Sequence, residues 1–153
     1  MQELLQCFNT TESESAHLPD SNGKANVEEQ KPFRKIYEGD ASRLSFILEN
    51  SVDLVVTSPP YWRKRDYGVK GQIGQEKTSE EYVAAIITAM AEWKRVLRPT
   101  GSVFMNIGDT YWQKSLQGIP SMIETRARAA GWLIRNRIIW VKKAECLILL
   151  KID

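Results

Sequence analysis

The stretch "VDLVVTSPPYW", residues 52–62, decides the fold because its chemistry changes abruptly half-way along. Its first six residues are mainly aliphatic and β-branched, which is typical of a strand buried on both faces of a parallel sheet. The prolines that follow Ser58 lack amide donors and fix φ, so a central strand cannot continue through them. The sequence therefore predicts a buried strand that ends in a stiff loop carrying a hydroxyl and two aromatic rings.

Strands and helices alternate on both sides of this stretch. The predicted strands cover residues 33–40, 52–57, 101–109 and 132–141. The predicted helices cover residues 79–97 and 121–130, the second with Gly131 after its end, and Leu44, Ile47 and Leu48 also recur at helical spacing. The first of these helices begins with a capping box, Thr78 to Glu81, and its predicted core stripe is Tyr82, Ile86, Met90 or Ala89, Trp93 and Leu97. The alternation predicts an α/β domain with a mainly parallel sheet and right-handed crossovers.

Two predicted strands end in residues of unusual chemistry, Thr57–Trp62 and Asn106–Asp109. In α/β sheets the functional site lies beyond the carboxyl ends of the strands, so we expect both segments at one site. The alternative interpretation is that each segment is an ordinary turn after its strand, without a functional role.

The loop after residue 57 is expected to form a small socket. Carbonyls of the two prolines have no ladder partners and are expected to point outward, beside the Ser58 hydroxyl and the flat face of Tyr61. Acceptors in a plane with an aromatic wall fit a planar ring that bears an amino group. By drawing the amine hydrogens out of the ring plane, such acceptors localise the nitrogen lone pair and direct it at an electrophile. This is catalysis by orientation and electrostatics.

The stretch "VDLVVTSPPYW" resembles the catalytic motif of the DNA amino-methyltransferases, which transfer a methyl group from S-adenosylmethionine to an exocyclic amine. Ser-Pro-Pro-Tyr is typical of the N4-cytosine enzymes, whereas N6-adenine enzymes usually have Asp or Asn first. Further blocks follow in the family's order and cover about residues 34–143: "IYEGD", "YGVKGQIGQEKTSEEYV", "RVLRPTGSVFMNIGDTYW" and "IIWVKK". The resemblance implies the catalytic half of a Rossmann-like methyltransferase domain.

The resemblance also implies roles for individual residues. The implied catalytic group is Ser58, Pro59, Pro60 and Tyr61, with Ser58 and the Pro59 carbonyl holding the amine of a flipped base and Tyr61 stacking on it. The implied base-pocket or DNA contacts are Trp62, Arg63, Lys64, Arg65, Asn106 and Asp109. Asp40 is either part of a turn or a carboxylate near the adenosine of the cofactor, and the cations at 63–65 are either a solvated loop or phosphate contacts.

Composition limits the other classes of function. A single histidine, His17, and two cysteines in unrelated contexts, Cys7 and Cys146, leave little material for a metal site or a histidine-dependent triad. No apolar run matches a membrane span and the N-terminus lacks the form of a signal peptide, which indicates a cytoplasmic protein. Residues 1–32 carry two lysines against six acidic residues, a charge of −4, and the rest carries 19 cations against 13 acidic residues, a charge of +6. The basic part suits double-stranded DNA.

The chain divides into three predicted parts: a mobile polar leader at 1–32, the catalytic half at 33–143 and an atypical tail at 144–153. In this family a Gly-rich turn holds the methionine end of the cofactor, but the sequence contains no Gly-x-Gly. The resemblance therefore implies the permuted order, in which the catalytic half comes first. The tail "ECLILLKID" departs from the family's Met-Pro-x-Ser-Val-Lys-Asp-Arg, and its codons are compatible with that sequence in a shifted reading frame.

We expect that this chain alone does not methylate DNA, and that the cofactor-binding half is either lost or supplied by a second polypeptide. Three other functions stay open: an N6-adenine DNA methyltransferase, a non-enzymatic DNA-binding remnant, and a methyltransferase that acts on a protein amide. The basic charge favours DNA over a protein substrate.

Overall fold

The computed structural model describes residues 5–8 and 34–141, which form a mixed α/β arrangement. The strands are β1 (Leu5–Phe8), β2 (Arg34–Tyr37), β3 (Val52–Thr57), β4 (Leu97–Met105), β5 (Tyr111–Trp112) and β6 (Ser115–Leu116). The helices are α1 (Ser79–Val96) and α2 (Ile119–Ala129).

The strands of this part of the chain form three two-stranded sheets. β3 and β4 are parallel and are joined through α1, whereas β1–β2 and β5–β6 are antiparallel pairs. The expectation of a mainly parallel sheet is therefore confirmed only for β3 and β4. Their pairing runs to the carboxyl ends, where Thr57 lies opposite Met105, and a bulge interrupts it between Val52 and Leu54.

Helix α1 forms as its sequence signals predict. The hydroxyl of Thr78 accepts a hydrogen bond from the Glu81 amide at 3.1 Å, and the Glu81 carboxylate completes the capping box. The helix ends at Val96, one residue before the predicted end. The predicted stripe is buried throughout: Tyr82, Ile86, Ala89, Met90, Trp93 and Leu97. It packs with Ile119, Ile123 and Ala127 of α2 in one core.

The prediction that β3 is buried on both faces is wrong for the part of the chain that the structure describes. Val52 and Val55 belong to the core, but Leu54 and Val56 are exposed, as is Phe104 on β4. Beyond the bulge between Val52 and Leu54, alternate residues point to opposite faces, and the described core covers only the face that carries Val55.

Two further predictions of secondary structure are wrong. Residues 41–50 form turns, because backbone groups that a helix would use bond to side chains of α1 instead. The Leu44 amide donates to Glu92, the Leu44 carbonyl accepts from Arg95, and the Ala41 carbonyl accepts from the Trp93 indole. Residues 132–141 form no strand, since no ladder partner lies beside them among the described residues.

The predicted leader and tail lie mostly outside the described residues. Within the leader, Leu5–Phe8 form β1, which pairs with β2 through backbone hydrogen bonds. Residues 1–4, 9–33 and 142–153 are not described, and the predictions for them remain predictions. Neither α1 nor α2 combines the length and the apolar character that a membrane-crossing helix requires.

Candidate active site

The carboxyl ends of β3 and β4 meet, which brings the two unusual strand ends together. Beyond the last ladder pair, the Asn106 amide donates to the Thr57 carbonyl at 2.8 Å. Ser58 therefore begins its loop beside the segment that starts at Asn106. Both residues are at the surface or close to it, since the side chains of Ser58 and Asn106 are exposed.

The ring of Tyr61 lies against Gly108, in the segment that follows β4. A Cβ added at Gly108 would be 2.7 Å from Cε2 of Tyr61 and 3.0 Å from Cδ2. Real Cβ atoms do not approach that closely, so the ring occupies the place that any larger residue would need. The half-buried ring of Tyr61 is thus held by the neighbouring strand end and is set beside the Ser58 loop.

The second proline carbonyl points inward, contrary to the expectation that both point outward. The hydroxyl of Tyr82 donates to the Pro60 carbonyl at 2.9 Å, and Tyr82 is fully buried on α1. Pro59 is buried and Pro60 half-buried, so both prolines pack against the core. Only the positions before it, Ser58 and the Pro59 peptide, remain candidates for holding an amine.

Trp62 anchors the loop from the inside. Its side chain is 2% exposed, its indole donates to the Glu76 carbonyl at 3.0 Å, and its carbonyl accepts from the Thr110 hydroxyl at 2.9 Å. The sequence grouped Trp62 with base or DNA contacts. The structure instead places its ring in the core, where it fixes the position of the preceding Tyr61.

The three cations after the motif are exposed, but they are not equivalent. Arg63 has a positive φ of 55°, and its guanidinium lies near two indole rings that pack edge to face, 4.2 Å from the centroid of Trp112 and 5.2 Å from that of Trp62. It also donates to the Lys77 carbonyl at 3.1 Å. Arg63 therefore joins three segments, and for the exposed Lys64 and Arg65 a phosphate contact stays a prediction, as does a solvated loop.

Asp109 positions a helix in this structure. Its carboxylate accepts hydrogen bonds from the amides of Thr110, Gly118 and Ile119 at 2.8, 3.0 and 3.1 Å. Gly118 and Ile119 begin α2, and a carboxylate at a helix N-terminus is stabilised by the free amides and by the helix dipole. A direct contact of Asp109 with a base stays a prediction, and the structure gives this carboxylate a positioning role.

The segment 71–76 supports the loop from a third side. Gly74 has a φ of 106°, and a Cβ there would lie 3.3 Å from both the Pro60 and the Tyr61 carbonyl oxygens. The Gly74 carbonyl in turn accepts from the Arg63 amide at 2.7 Å. Position 74 therefore favours glycine for two reasons: its positive φ and the close carbonyl oxygens of Pro60 and Tyr61.

Residues 52–149 match the family model described as DNA methylase, which groups N6 and N4 methyltransferases. The chain belongs to the DNA amino-methyltransferase family. Relatives include the Type II methyltransferase M.MwoI of Methanothermobacter wolfeii, which is 45% identical over 71% of this chain and 17% of its own length. The Type II methyltransferase M.XycI of Xanthomonas campestris pv. cyanopsidis is 34% identical over 70% of this chain and 46% of its own length.

The family member described here thus spans less than half the length of these relatives. No solved structure gives a significant match to it. In this chain, the structural observation that bears on function is that Ser58–Tyr61 meet the segment after β4.

Asp40, the predicted cofactor contact, lies in the turn after β2. The Ser42 amide and then the Ser42 hydroxyl donate to Oδ1 of Asp40, at 2.8 and 2.7 Å, and these hydrogen bonds lower the pKa of the carboxyl group. The group is exposed and stays ionised near neutral pH. These bonds belong to the turn that the sequence offered as one reading of Asp40, and a contact with the adenosine of the cofactor stays a prediction.

Sequence reasoning missed the roles of four residues that shape this site: Gly74, Tyr82, Gly108 and Thr110. Tyr82 was assigned to the core stripe alone, although a buried tyrosine usually finds a partner for its hydroxyl. Gly108 carried a usable signal, because a glycine between a strand end and an Asp permits close approach of another group.

Proposed function

We propose that this chain carries the amine-binding portion of a DNA methyltransferase that methylates the exocyclic N4 of cytosine. The observation that supports it most directly is the contact between Tyr61 and Gly108 at the paired ends of β3 and β4. It sets an aromatic face beside Ser58 at the sheet edge where α/β enzymes bind their ligands. The serine at the first motif position favours cytosine over adenine.

The proposed mechanism relies on orientation. The Ser58 hydroxyl and the Pro59 carbonyl accept hydrogen bonds from the two N–H groups of the amine, while the ring of Tyr61 stacks on the base. Bound S-adenosylmethionine would supply an electrophilic methyl group whose bond to the sulfonium sulfur breaks as the thioether leaves, and Asp40 would hold its ribose hydroxyls. Once the nitrogen has gained the methyl group it must release one proton, and the exposed Ser58 lies where that proton can pass to solvent. The chain needs no strong base for this step.

The substrate in this proposal is double-stranded DNA with its target cytosine flipped out of the stack. A base inside a duplex cannot reach the socket, and extrusion also exposes the face on which Tyr61 stacks. The exposed Lys64 and Arg65 follow the socket directly and would bind phosphates on either side of the flipped nucleotide.

The proposal places the described residues in the catalytic half of a Rossmann-like domain, in the permuted order. The cofactor-binding half would then be contributed by another segment or by a second polypeptide. The exposed apolar face of the β3–β4 sheet, with Leu54, Val56 and Phe104, supports a further covering layer there.

The test combines complementation with product analysis. The chain is incubated with unmethylated genomic DNA and tritiated S-adenosylmethionine, alone and with the remaining portion of M.XycI, and the DNA is digested to nucleosides. We expect label in N4-methylcytosine only in the complemented reaction, and much less label with Ser58→Ala. Label in N6-methyladenine without N4-methylcytosine would establish the adenine alternative.

A measurement of DNA binding distinguishes the non-enzymatic alternative from the proposed enzyme. If the complemented reaction gives no label while the chain still shifts DNA on a gel, the chain is a DNA-binding remnant. Phosphate contacts make that shift fall steeply as salt is raised. Absent or salt-independent binding would contradict both DNA functions.

A further inference from the structure

The β5–β6 hairpin beside the socket has a turn that its sequence does not favour. The two central residues, Gln113 and Lys114, have positive φ angles of 48° and 63°. Two-residue hairpin turns of this kind prefer Asn or Gly, because other side chains are strained there. The strained turn places the ammonium of Lys114 at the tip of the hairpin. Strain of this kind is found mostly at functional sites.

The two faces of the hairpin differ. Tyr111 pairs with Leu116 and Trp112 pairs with Ser115, so each pair shares a face. Trp112 turns towards the socket loop, where its ring stacks on the Arg63 guanidinium. The other face is apolar and in solvent, with Tyr111 66% and Leu116 62% exposed. A planar ring and an aliphatic side chain thus lie side by side on the outer face.

The base of the hairpin is fixed to the socket loop by a buried hydrogen bond and is closed by two bonds of its own. The buried Thr110 hydroxyl donates to the carbonyl of Trp62, the residue after Tyr61. The Gln117 amide closes the hairpin by donating to the Thr110 carbonyl at 3.0 Å. The Gln117 side chain donates to the Trp112 carbonyl at 3.1 Å. The hairpin is therefore held in a set position relative to the stacking ring.

We propose that this hairpin is a DNA wedge, in which Tyr111 and Leu116 enter the base stack at the position vacated by the flipped nucleotide. Lys114 at the tip would contact a phosphate next to it. This inference rests on the proposed function, since an enzyme that flips a base must stabilise the gap. Apolar side chains inserted between base steps are a known means of holding DNA open. The exposed cations Lys64 and Arg65 on the adjoining loop supply the complementary charge for the backbone.

The test compares two duplexes that differ at one nucleotide, one intact and one with a single abasic site. Binding of the chain is measured by fluorescence anisotropy at low salt. The wild type is expected to bind the abasic duplex more tightly than the intact one. In Tyr111→Ala and Leu116→Ala the ratio of the two affinities should fall by roughly 5-fold or more. Leu48→Ala, which removes a side chain 79% exposed in another part of the surface, is the matched control and should retain it.

The phosphate contact is tested through salt. Lys114→Ala should reduce the slope of log affinity against log salt by about 1, the value for one lost phosphate contact. Arg128→Ala, an exposed cation in the last turn of α2, should leave the slope unchanged. An unchanged slope with Lys114→Ala would overturn this part of the proposal.

The outcomes separate the wedge from the proposed function. If the wild type binds no DNA, the proposed function fails first. If it binds DNA but shows no preference for the gap, or keeps it in both Tyr111→Ala and Leu116→Ala, only the wedge is overturned. If these variants keep the preference but no longer associate with the complementing portion of M.XycI, the hairpin is a protein contact and the wedge is refuted.

Discussion

The contact between Tyr61 and Gly108 predicts that Gly108→Ala damages the socket without damaging the fold. The new Cβ would lie 2.7 Å from Cε2 of Tyr61. Non-bonded carbons settle at about 3.5–4.0 Å, so the ring must retreat by roughly 1 Å. The φ of Gly108 lies outside the left-handed region, so alanine adds no backbone strain there. Stacking of an aromatic ring on a base contributes about 1–3 kcal/mol, and we expect a loss within this range, or roughly 5- to 150-fold in affinity.

The assay uses a single-stranded cytosine oligonucleotide, because an unpaired base can enter the socket without being flipped. Affinity is measured by anisotropy for the wild type, Gly108→Ala, Tyr61→Ala and the double variant, with urea unfolding to check the fold. The double variant should bind no more weakly than Tyr61→Ala, since the displaced ring is then absent. Gly39→Ala, whose Cβ would meet only the Phe46 ring at 3.1 Å, is the control. If the double variant instead loses as much affinity as Gly108→Ala and Tyr61→Ala together, the reasoning is refuted.

Three further predictions concern single groups. In the complemented enzyme Ser58→Ala should lower turnover more than DNA affinity; equal losses would contradict an orienting role. Tyr82→Phe should leave the Pro60 carbonyl without its hydroxyl donor and lower the free energy of unfolding by about 0.5–1.5 kcal/mol in urea, and an unchanged value would contradict the bond. The hydrogen bond from Arg137 lowers the pKa of Glu124, so its stabilisation is present above the ordinary carboxyl pKa and is lost as pH falls through the lowered one. In Glu124→Gln the Tm should therefore fall less steeply as the pH is lowered into the acid range. An unchanged acid dependence of Tm would contradict the ion pair.

The parts of the fold that were predictable are those with local signals. The capping box at Thr78 and the 3.6-residue stripe fixed α1, and the β-branched run fixed β3. Residues 132–141 are equally apolar but form no strand, because a strand needs a neighbour and the described residues provide none. Residues 41–50 have helical spacing, yet Glu92 and Arg95 compete for the backbone at Leu44. Spacing in sequence does not reveal such long-range polar contacts.

The same distinction applies to the site. The motif and the rule that sites lie at the carboxyl ends of parallel strands predicted that residues 58–61 and 106–109 would meet, and they do. The rule does not specify which groups face inward. The buried ring of Trp62, the inward Pro60 carbonyl and the helix-holding Asp109 each depend on a partner distant in sequence. Their roles therefore follow only from the structure.

The loop that follows Pro59 is held in a way that suits catalysis by orientation. Three successive carbonyls accept hydrogen bonds from three different sources: that of Pro60 from Tyr82 on α1, that of Tyr61 from the Lys64 amide, and that of Trp62 from Thr110. Two of these bonds tie the loop to α1 and to the segment after β4, and the third closes a turn within the loop itself. An enzyme without a strong base gains its rate from groups that are in place before the substrate arrives, because no reorganisation is then required. The rigidity of residues 60–62 is thus as much a part of the proposed mechanism as the Ser58 hydroxyl.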